Sequence, residues 1–475
     1  MKRPVLITSL ALAGALLAGC TAVAATSTGG GSTAESAQLS AASTAFTGDL
    51  SPEEVLAANA DYTTVNTDEW SEADAVDIAL TGSSATVSGS GSAAGSGSSA
   101  VTVDGSTVTI AEAGVYRLSG ALDGRIVVAA PDDALVVLIL DGVDIDSSTG
   151  SAIEVQSADD VAIHLADGAE NTVSDASSYA DDADANAAIY AATDLTITGS
   201  GSLVVQGNGN DGITSKDDLV ILSGDITVTA ADDALRGKDS LVVEGGALSL
   251  TATGGDGLKS DQEDDETKGY ILVSGGTIDI TAGDDGLQAR TDTVITGGSI
   301  TAAVADDGVK AEVVVSIGGG EVTVTESYEA VEAANIAIFA GALDLTASDD
   351  GINASGLNDG TQNREADTGE RLEISGGTIT VRAGFDGLDS NGTITVSGGD
   401  ITITSADNGG DGPLDANGEI TVTGGTIIAN GSEYDPATAA QGPGGGMPGG
   451  SGGPGGAPGG EMPEGQMPGG QAPSA

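Results

Sequence analysis

The 475-residue chain has few aromatic and basic residues, one cysteine and one histidine. Aromatic residues make up 2% of the sequence, which is too little for a bulky globular core, whereas Ile, Val, Leu and Ala can fill a narrow one. A single cysteine excludes an intramolecular disulfide. Zinc is not expected, because it prefers Cys and His ligands. His164 lies in a strand-like stretch and is interpreted as a surface strand residue.

Basic residues are scarce beside acidic ones. The chain has 14 Lys and Arg against 72 Asp and Glu, which gives a net charge of −58 at pH 7. Such a chain would repel phosphate backbones, so nucleic acid is excluded as a partner. Scattered acids are interpreted as a solvated surface, but acids that recur at one position of a repeat require a separate explanation.

An acid followed by Gly or Ala and then an aliphatic residue recurs between residues 211 and 415. Successive acids are separated by 22, 23, 29, 22, 22, 21, 36 and 25 residues. Glycine pairs such as Gly275-Gly276 recur at the same period, between stretches that alternate apolar and small polar residues, as short half-buried strands do. A period near 22 residues with three strands and three turns predicts one coil of a parallel β-helix per repeat. The repeated acids are Asp211, Asp233, Asp256, Asp285, Asp307, Glu329, Asp350, Asp386 and Asp411.

The N-terminus has the features of a bacterial secretory leader. Residues 1–19 carry two basic residues, an apolar run and the tripeptide Leu-Ala-Gly before Cys20. This pattern fits the lipoprotein cleavage signal, in which the cysteine is lipidated and becomes the mature N-terminus. We therefore predict that lipid on Cys20 anchors the protein to the extracellular face of the cell membrane.

The rest of the chain divides into three segments by composition. Residues 20–65 are rich in Ala, Ser, Thr and Gly and are predicted to form a flexible tether. Residues 66–436 are predicted to form the β-helix, which begins with a capping region because solenoids must shield their ends. Residues 437–475 are rich in Gly and Pro and are predicted to be a disordered tail. A monomer is expected.

The repeated acids would stack into a column of carboxylates. Equivalent positions on neighbouring coils lie about 4.8 Å apart in a parallel stack. Two charges at such a distance repel by about 1 kcal/mol in water and by about 4 kcal/mol at an effective dielectric near 20. Bases such as Lys216, Arg236 and Lys310 follow some acids and can neutralise part of the column, but they are too few for all of it. Calcium is predicted to neutralise the rest, because it accepts about six to eight oxygen ligands in irregular geometry.

Doubled acids such as Asp232-Asp233 would place a carboxylate on each side of a turn. Metal binding is less expected where the repeat departs from its usual pattern. The departures are Asp233-Ala234, Glu329-Ala330, Phe385 in place of a first acid, and Pro413 after Gly412. The preferred coils are those around Asp211, Asp256, Asp285, Asp307 and Asp350. The full set of predicted calcium ligands is Asp211, Asp232, Asp233, Asp256, Asp261, Asp284, Asp285, Asp306, Asp307, Asp349, Asp350 and Asp386.

Several stretches of the sequence resemble the bacterial family of carbohydrate-binding domain-containing lipoproteins. These stretches are residues 115–120, 136–143, 168–172, 209–219 and 255–261. The resemblance implies a right-handed parallel β-helix similar to that of pectate lyases, with bound calcium. It also implies binding of acidic plant polysaccharides such as polygalacturonate, and of cellulose. Acidic sugars are favoured here, because Trp70 is the only tryptophan and the other aromatic residues are dispersed, so no flat aromatic row for cellulose is evident.

The expected function is therefore non-catalytic binding of an acidic polysaccharide, with calcium bridging column carboxylates and uronates. One alternative is a calcium-dependent polysaccharide lyase of the pectate lyase type, in which Lys259 or Lys310 removes the proton next to a uronate carboxyl. These bases recur as ordinary repeat variants, whereas a lyase needs one distinctive site. A second alternative is a structural or adhesive surface rod. Ice binding by outward Thr columns is disfavoured, because charged residues such as Asp279 interrupt them.

Overall fold

The computed structural model describes residues 46–88, 100–180, 183–356, 366–408 and 410–435. The predicted leader, Cys20 and the predicted tail of residues 437–475 lie outside these residues. The fold is all-β, with 52% strand and 3% helix, and its sheets are long stacks of parallel strands. The prediction of an all-β fold built from stacked parallel strands is confirmed. Within the described ranges, no helix has the length and apolar character needed to cross a bilayer.

The helical segments are short: helix α1 (Pro52–Ala58) and one 3₁₀ turn (Glu72–Asp74). The strands in chain order are β1 (Val76–Gly82), β2 (Ala85–Ser88), β3 (Val101–Asp104), β4 (Thr107–Ile110), β5 (Gly114–Leu122), β6 (Arg125–Ala129), β7 (Leu135–Asp146), β8 (Ile153–Ser157), β9 (Asp160–Leu165), β10 (Glu170–Ser174), β11 (Ala187–Ala191), β12 (Asp194–Gly199), β13 (Ser202–Gly207), β14 (Asp211–Ser215), β15 (Asp218–Ile221), β16 (Asp225–Ala230), β17 (Leu235–Gly237), β18 (Ser240–Val243), β19 (Ala247–Ala252), β20 (Leu258–Ser260), β21 (Tyr270–Val273), β22 (Thr277–Ala282), β23 (Leu287–Ala289), β24 (Asp292–Ile295), β25 (Ser299–Val304), β26 (Val309–Ala311), β27 (Val314–Ile317), β28 (Glu321–Glu326), β29 (Val331–Ala333), β30 (Asn335–Ile338), β31 (Ala342–Thr346), β32 (Ile352–Ala354), β33 (Arg371–Ile374), β34 (Thr378–Arg382), β35 (Leu388–Ser390), β36 (Thr393–Val396), β37 (Asp400–Thr404), β38 (Ile420–Val422), β39 (Thr426–Ala429) and β40 (Ser432–Glu433).

Through the central repeats each strand pairs in parallel with the strand three places further along the chain, which produces three ladders. Ladder 1 runs β4, β6, β8, β11, β14, β17, β20, β23, β26, β29, β32 and β35. Ladder 2 runs β5, β7, β9, β12, β15, β18, β21, β24, β27, β30, β33, β36 and β38, and ladder 3 runs β10, β13, β16, β19, β22, β25, β28, β31, β34, β37 and β39. The long strand β7 pairs with β9 and also with β10, so it joins ladders 2 and 3. Antiparallel pairs occur at the ends, as β1 with β2, β3 with β4 and β39 with β40.

The glycine pairs form the turns from ladder 2 to ladder 3. The second glycine has a positive φ, for example 95° at Gly246 and 85° at Gly276. This left-handed conformation is readily adopted only by glycine. The following strands alternate, so that Ile226, Val228 and Ala230 of β16 point into the aliphatic core while the residues between them are exposed.

The segment from Phe46 to Ala75 packs along the outer face of ladder 2, and we call it the strap. Its buried Leu50 and Val55 join a cluster with outward residues of ladder 2 such as Val220 and Val294. The predicted tether of residues 20–65 therefore differs from the structure over residues 46–65. The physical reason is that ladder 2 strands are apolar on both faces, as β15 is, and an apolar outer face this long requires cover.

Trp70 and His164 belong to this packed region. Their ring centroids lie 5.0 Å apart in an edge-on arrangement, and the His164 Nε2 atom lies 3.8 Å from a carboxylate oxygen of Glu72. Burial lowers the pKa of His164, which keeps the imidazole neutral near pH 7. Trp70 therefore packs against β9 and is not part of an exposed aromatic platform.

Candidate functional site

The repeated acids form a column at the turns that lead from ladder 3 into ladder 1. Asp211, Asp233, Asp256, Asp285 and Asp307 are each at most 4% exposed. In most coils one carboxylate oxygen accepts the backbone N–H of the next acid in the column, at 2.9 Å from Asp256 N to Asp233 Oδ1 and 2.8 Å from Asp307 N to Asp285 Oδ1. The column therefore satisfies backbone donors between coils. Sequence reasoning missed this role, because it treated the acids only as charges.

The same contact continues towards the C-terminal end. Asp386 N donates to Asp350 Oδ1 at 2.8 Å, and Gly412 N donates to Asp386 Oδ1 at 2.5 Å. Burial raises the pKa of Asp350 to about 6 and the pKa of Asp386 to about 7. Asp389, the outward residue of β35, has its pKa raised to about 7 by burial and by neighbouring acids of the column. This end of the column is acidic.

The residue after each acid is Gly where a β-branched side chain of ladder 3 faces it. A Cβ added to Gly257 would lie 2.5 Å from Ile280 Cγ2, and one added to Gly308 would lie 2.7 Å from Val324 Cγ2. Leu250 and Leu345 occupy the equivalent ladder positions opposite Ala234 and Ala330. The exchange of Gly for Ala thus coincides with a leucine in ladder 3. The backbone of the next coil also limits space, because a Cβ added to Gly286, which faces Ala302, would lie 2.4 Å from the carbonyl oxygen of Gly308. The sequence analysis had interpreted the exchange as a sign of weaker metal binding.

The bases of the repeat occupy the outward position of ladder 1, beside the column. Arg236, Lys259, Gln288, Lys310 and Glu332 are successive partners in register. The Lys259 Nζ atom lies 2.8 Å from Asp256 Oδ2 and 3.4 Å from Asp233 Oδ1. The Lys310 Nζ atom lies 2.6 Å from Asp307 Oδ2 and 3.3 Å from Glu332 Oε2, with Asp285 Oδ2 at 3.8 Å. Lysine therefore supplies one positive charge to each of these two groups of carboxylates, as the alternative to metal had allowed.

Arg236 supplies the cation of the first coils. Its guanidinium forms an ion pair with Asp261, with Nε 3.2 Å from Oδ1, and its Nη1 lies 3.7 Å from Asp211 Oδ2. Thr214 Oγ1 also donates to Asp211 Oδ2 at 3.0 Å. Asp261, predicted as a calcium ligand, is therefore placed against Arg236.

Most of the predicted ligands do come together. Each of the following groups has carboxylate oxygens that all lie within 4.8 Å of one another: Asp211 with Asp232 and Asp233, Asp256 with Asp284 and Asp285, Asp285 with Asp306 and Asp307, Asp307 with Glu329 and Glu332, and Glu329 with Asp349 and Asp350. Glu332 was not predicted, because it lies on the outward face of β29 and its signal is only its spacing of three residues from Glu329.

The group of Glu329, Asp349 and Asp350 contains a buried carboxylate oxygen that lacks a hydrogen-bond partner in the described ranges. Glu329 is 8% exposed; its Oε1 accepts from Asn353 Nδ2 at 3.0 Å, while its Oε2 is buried without a hydrogen-bond partner among the described residues. Burial, reinforced by Glu332, raises the pKa of Glu329 to about 9. A buried oxygen left unpaired is unfavourable, and a cation would satisfy it. The residues therefore fit calcium, which accepts oxygen ligands.

Lys259 and Lys310, the residues of the lyase alternative, are held as counter-ions. Burial acts to lower the pKa of both side chains, but the carboxylates around each outweigh it and raise the pKa. A general base must be unprotonated near the working pH. Both lysines remain protonated at neutral pH and are poorly suited to abstract a proton.

Comparison with known proteins shows the family of this chain. Residues 104–351, more than half of the chain, match the family of carbohydrate-binding domain-containing proteins. The chain belongs to this family. A carbohydrate-binding domain-containing protein from Acetivibrio thermocellus is 44% identical over 194 residues, which are 40% of this chain and 68% of that relative. A solved structure, described as the polysaccharide lyase-like protein from C. thermocellum in a gadolinium derivative, has 34% sequence identity and a TM-score of 0.48, and the match covers 51% of this chain and 96% of that one.

Proposed function

We propose that this domain binds polysaccharide without catalysis, and that it holds acidic polysaccharides through calcium on the acid column. Membership of the carbohydrate-binding domain-containing family supports the binding of polysaccharide. The calcium part rests on one observation, the buried and unpaired Glu329 Oε2 beside Asp349 and Asp350.

The charge of the protein explains why a cation is needed. A net charge of −58 would repel a uronate polymer unless positive charge lies between them. Asp349 and Asp350 are only partly buried, and Tyr328 beside them is 48% exposed, so this group opens to solvent. Calcium bound there would supply ligand positions on its outer side for a uronate carboxylate.

The finer architecture is part of the proposal. We infer a right-handed parallel β-helix, because connections between parallel strands of one sheet are right-handed in nearly all proteins. Lipid on Cys20 would anchor a monomer to the extracellular face of a bacterial membrane, a proposal supported by the Leu-Ala-Gly-Cys signal.

Binding to polygalacturonate, measured by isothermal titration calorimetry with calcium and with chelator, tests this function. Binding is expected in calcium and is expected to be lost in chelator. Glu329→Gln keeps the shape of the protonated side chain but removes its charge, so affinity for polygalacturonate should fall at least tenfold, about 1.4 kcal/mol. Glu321→Gln changes an exposed acid at the start of β28 and serves as the control.

Three results would contradict the proposal. Polygalacturonate binding that is equal in calcium and chelator would remove the role of the cation. Steady release of unsaturated product, followed by ultraviolet absorbance and lost in Lys259→Ala, would establish a lyase instead of a non-catalytic binding protein. An absence of any saccharide signal on a glycan array in both conditions would favour a structural rod.

A further inference from the structure

A cleft of about 590 Å³ opens on the outer face of ladder 1, several coils before the group of Glu329, Asp349 and Asp350. Its floor is formed by Glu154 of β8 and Tyr190 of β11, which are partners in register. Arg125 of β6 and Tyr179, from the connection between β10 and β11, form other parts of its wall. The volume lies within the range of about 300–1,000 Å³ that is typical of small-ligand sites.

The polar groups of the cleft are arranged as a chain. Arg125 Nη2 lies 3.0 Å from Glu154 Oε2, and Gln156 Nε2 donates to Glu154 Oε1 at 2.7 Å. Glu154 orients both neighbours, while the planar guanidinium of Arg125 keeps further N–H donors. Such planar groups form paired hydrogen bonds with adjacent hydroxyls of a sugar ring.

The two tyrosines are held differently. The Tyr179 hydroxyl donates to Asp175 Oδ2 at 2.6 Å, and Asp175 is 4% exposed. A Cβ added to Gly209 would lie 2.7 Å from Tyr179 Cε2, so the glycine leaves room for the ring. Tyr190 is 6% exposed, and the described residues offer its hydroxyl no hydrogen-bond partner. One tyrosine is thus fixed in position, and the other has an available donor and acceptor.

The charge of the cleft decides between neutral and acidic sugars. Arg125 contributes one positive charge, which its ion pair with Glu154 offsets, and exposed Asp184 adds a negative charge to the wall. A uronate carboxylate would meet net negative charge here, with no free cation to bind it. A neutral ring would meet no such repulsion, and its apolar face could pack on a tyrosine ring.

We propose that the cleft of Arg125, Glu154, Tyr179 and Tyr190 binds a neutral hexopyranose residue of a polysaccharide, independently of calcium. This inference rests on the proposed function in taking the domain to be a carbohydrate-binding one. It adds a second position, separate from the acid column, at which a neutral sugar would bind. Two of the dispersed tyrosines thus line the same cleft, because β11 supplies Tyr190 and the connection that precedes it supplies Tyr179.

The test uses the full chain and two sets of ligands. Neutral oligosaccharides of glucose and of galactose, and oligogalacturonate, are titrated by calorimetry in calcium and in chelator. At least one neutral series is expected to bind in both conditions, and Arg125→Met and Tyr190→Phe should each weaken that binding at least fivefold. Arg382→Met, which breaks an exposed ion pair with Asp344 on ladder 3, is the matched control and should bind as the native protein does.

The outcomes separate the two proposals. Neutral binding that survives in Arg125→Met and Tyr190→Phe, or that requires calcium, overturns the cleft assignment. An absence of neutral binding also overturns it, but leaves calcium-dependent binding of oligogalacturonate as a separate result. Loss of oligogalacturonate binding in Arg125→Met would assign the cleft to acidic sugars and would overturn the neutral class. Unchanged thermal unfolding of the variants establishes that they are folded.

Discussion

Replacement of Lys310 by methionine tests whether lysine or metal neutralises the middle of the column. Methionine keeps most of the aliphatic stem but leaves the carboxylates of Asp285, Asp307 and Glu332 without their shared cation. Breaking a buried ion pair from one side costs about 3–5 kcal/mol. Because the Lys310 side chain is 26% exposed, we expect a loss near the lower end, about 3 kcal/mol, in the free energy of unfolding.

The loss should depend on pH and on calcium. Lys310 lowers the pKa of Asp285 and Asp307, although burial holds these at about 8 and about 7 in the native protein. Without the lysine both pKa values rise, so protonation relieves the repulsion at pH 5 and the destabilisation grows towards pH 8. Calcium should raise the melting temperature of Lys310→Met more than that of the native protein, because three carboxylates become available.

Denaturant unfolding and differential scanning calorimetry, each in chelator and in calcium, measure these effects. Arg382→Met is the control, because Arg382 and Asp344 are 52% and 54% exposed and such a pair contributes about 1 kcal/mol or less. A loss below about 1 kcal/mol in Lys310→Met at pH 8 in chelator would refute the assignment of Lys310 as the counter-ion of a buried column.

Three other predictions concern the column and the glycines beside it. Burial raises the pKa of Asp233 to about 7 and of Glu329 to about 9, so the folded state favours the protonated side chains. In chelator the melting temperature should therefore fall as pH rises from 5 to 8. Calcium binding at pH 7 should release protons, detected by calorimetry in buffers of different ionisation enthalpy; equal heats would argue against Glu329 as a ligand. Gly257→Ala should lower the free energy of unfolding by about 1–3 kcal/mol, and a second change, Ile280→Leu, should restore part of the loss. Gly412→Ala is the control, because nothing lies within 4 Å of the added Cβ, and it should leave denaturant unfolding unchanged.

Much of the fold could be predicted because the repeat is explicit in the sequence. The glycine pairs and alternating strands predict an all-β stack of parallel strands, and the acids do form one column. The positions of the bases could not be predicted in the same way. Lys259 reaches both its own acid and Asp233 of the preceding coil, a contact between residues 26 positions apart that depends on side-chain direction in the stack.

The strap and the cleft were missed for a related reason. Residues 46–65 look like a polar tether when taken alone, and only the apolar outer face of ladder 2 explains why Val55 is buried. The cleft depends on a connection between strands that brings Tyr179 beside Tyr190. Local composition does not predict either contact, because both depend on residues that are distant in the sequence.

The acid column combines two functions that require different chemistry. As a backbone cap, each acid needs only one oxygen, so the second oxygen of each residue must be satisfied separately. Lys259 does so at Asp256. Lys310 contacts Oδ2 of Asp307, but Oδ1 of Asp307 has no hydrogen-bond partner among the described residues. The same is true of Oε2 of Glu329, whose Oε1 accepts from Asn353. The coils best neutralised by bases are therefore the least suited to metal. Calcium is best supported at Glu329, because it has an unpaired oxygen and, unlike Asp307, forms no ion pair with a lysine in the described part of the chain.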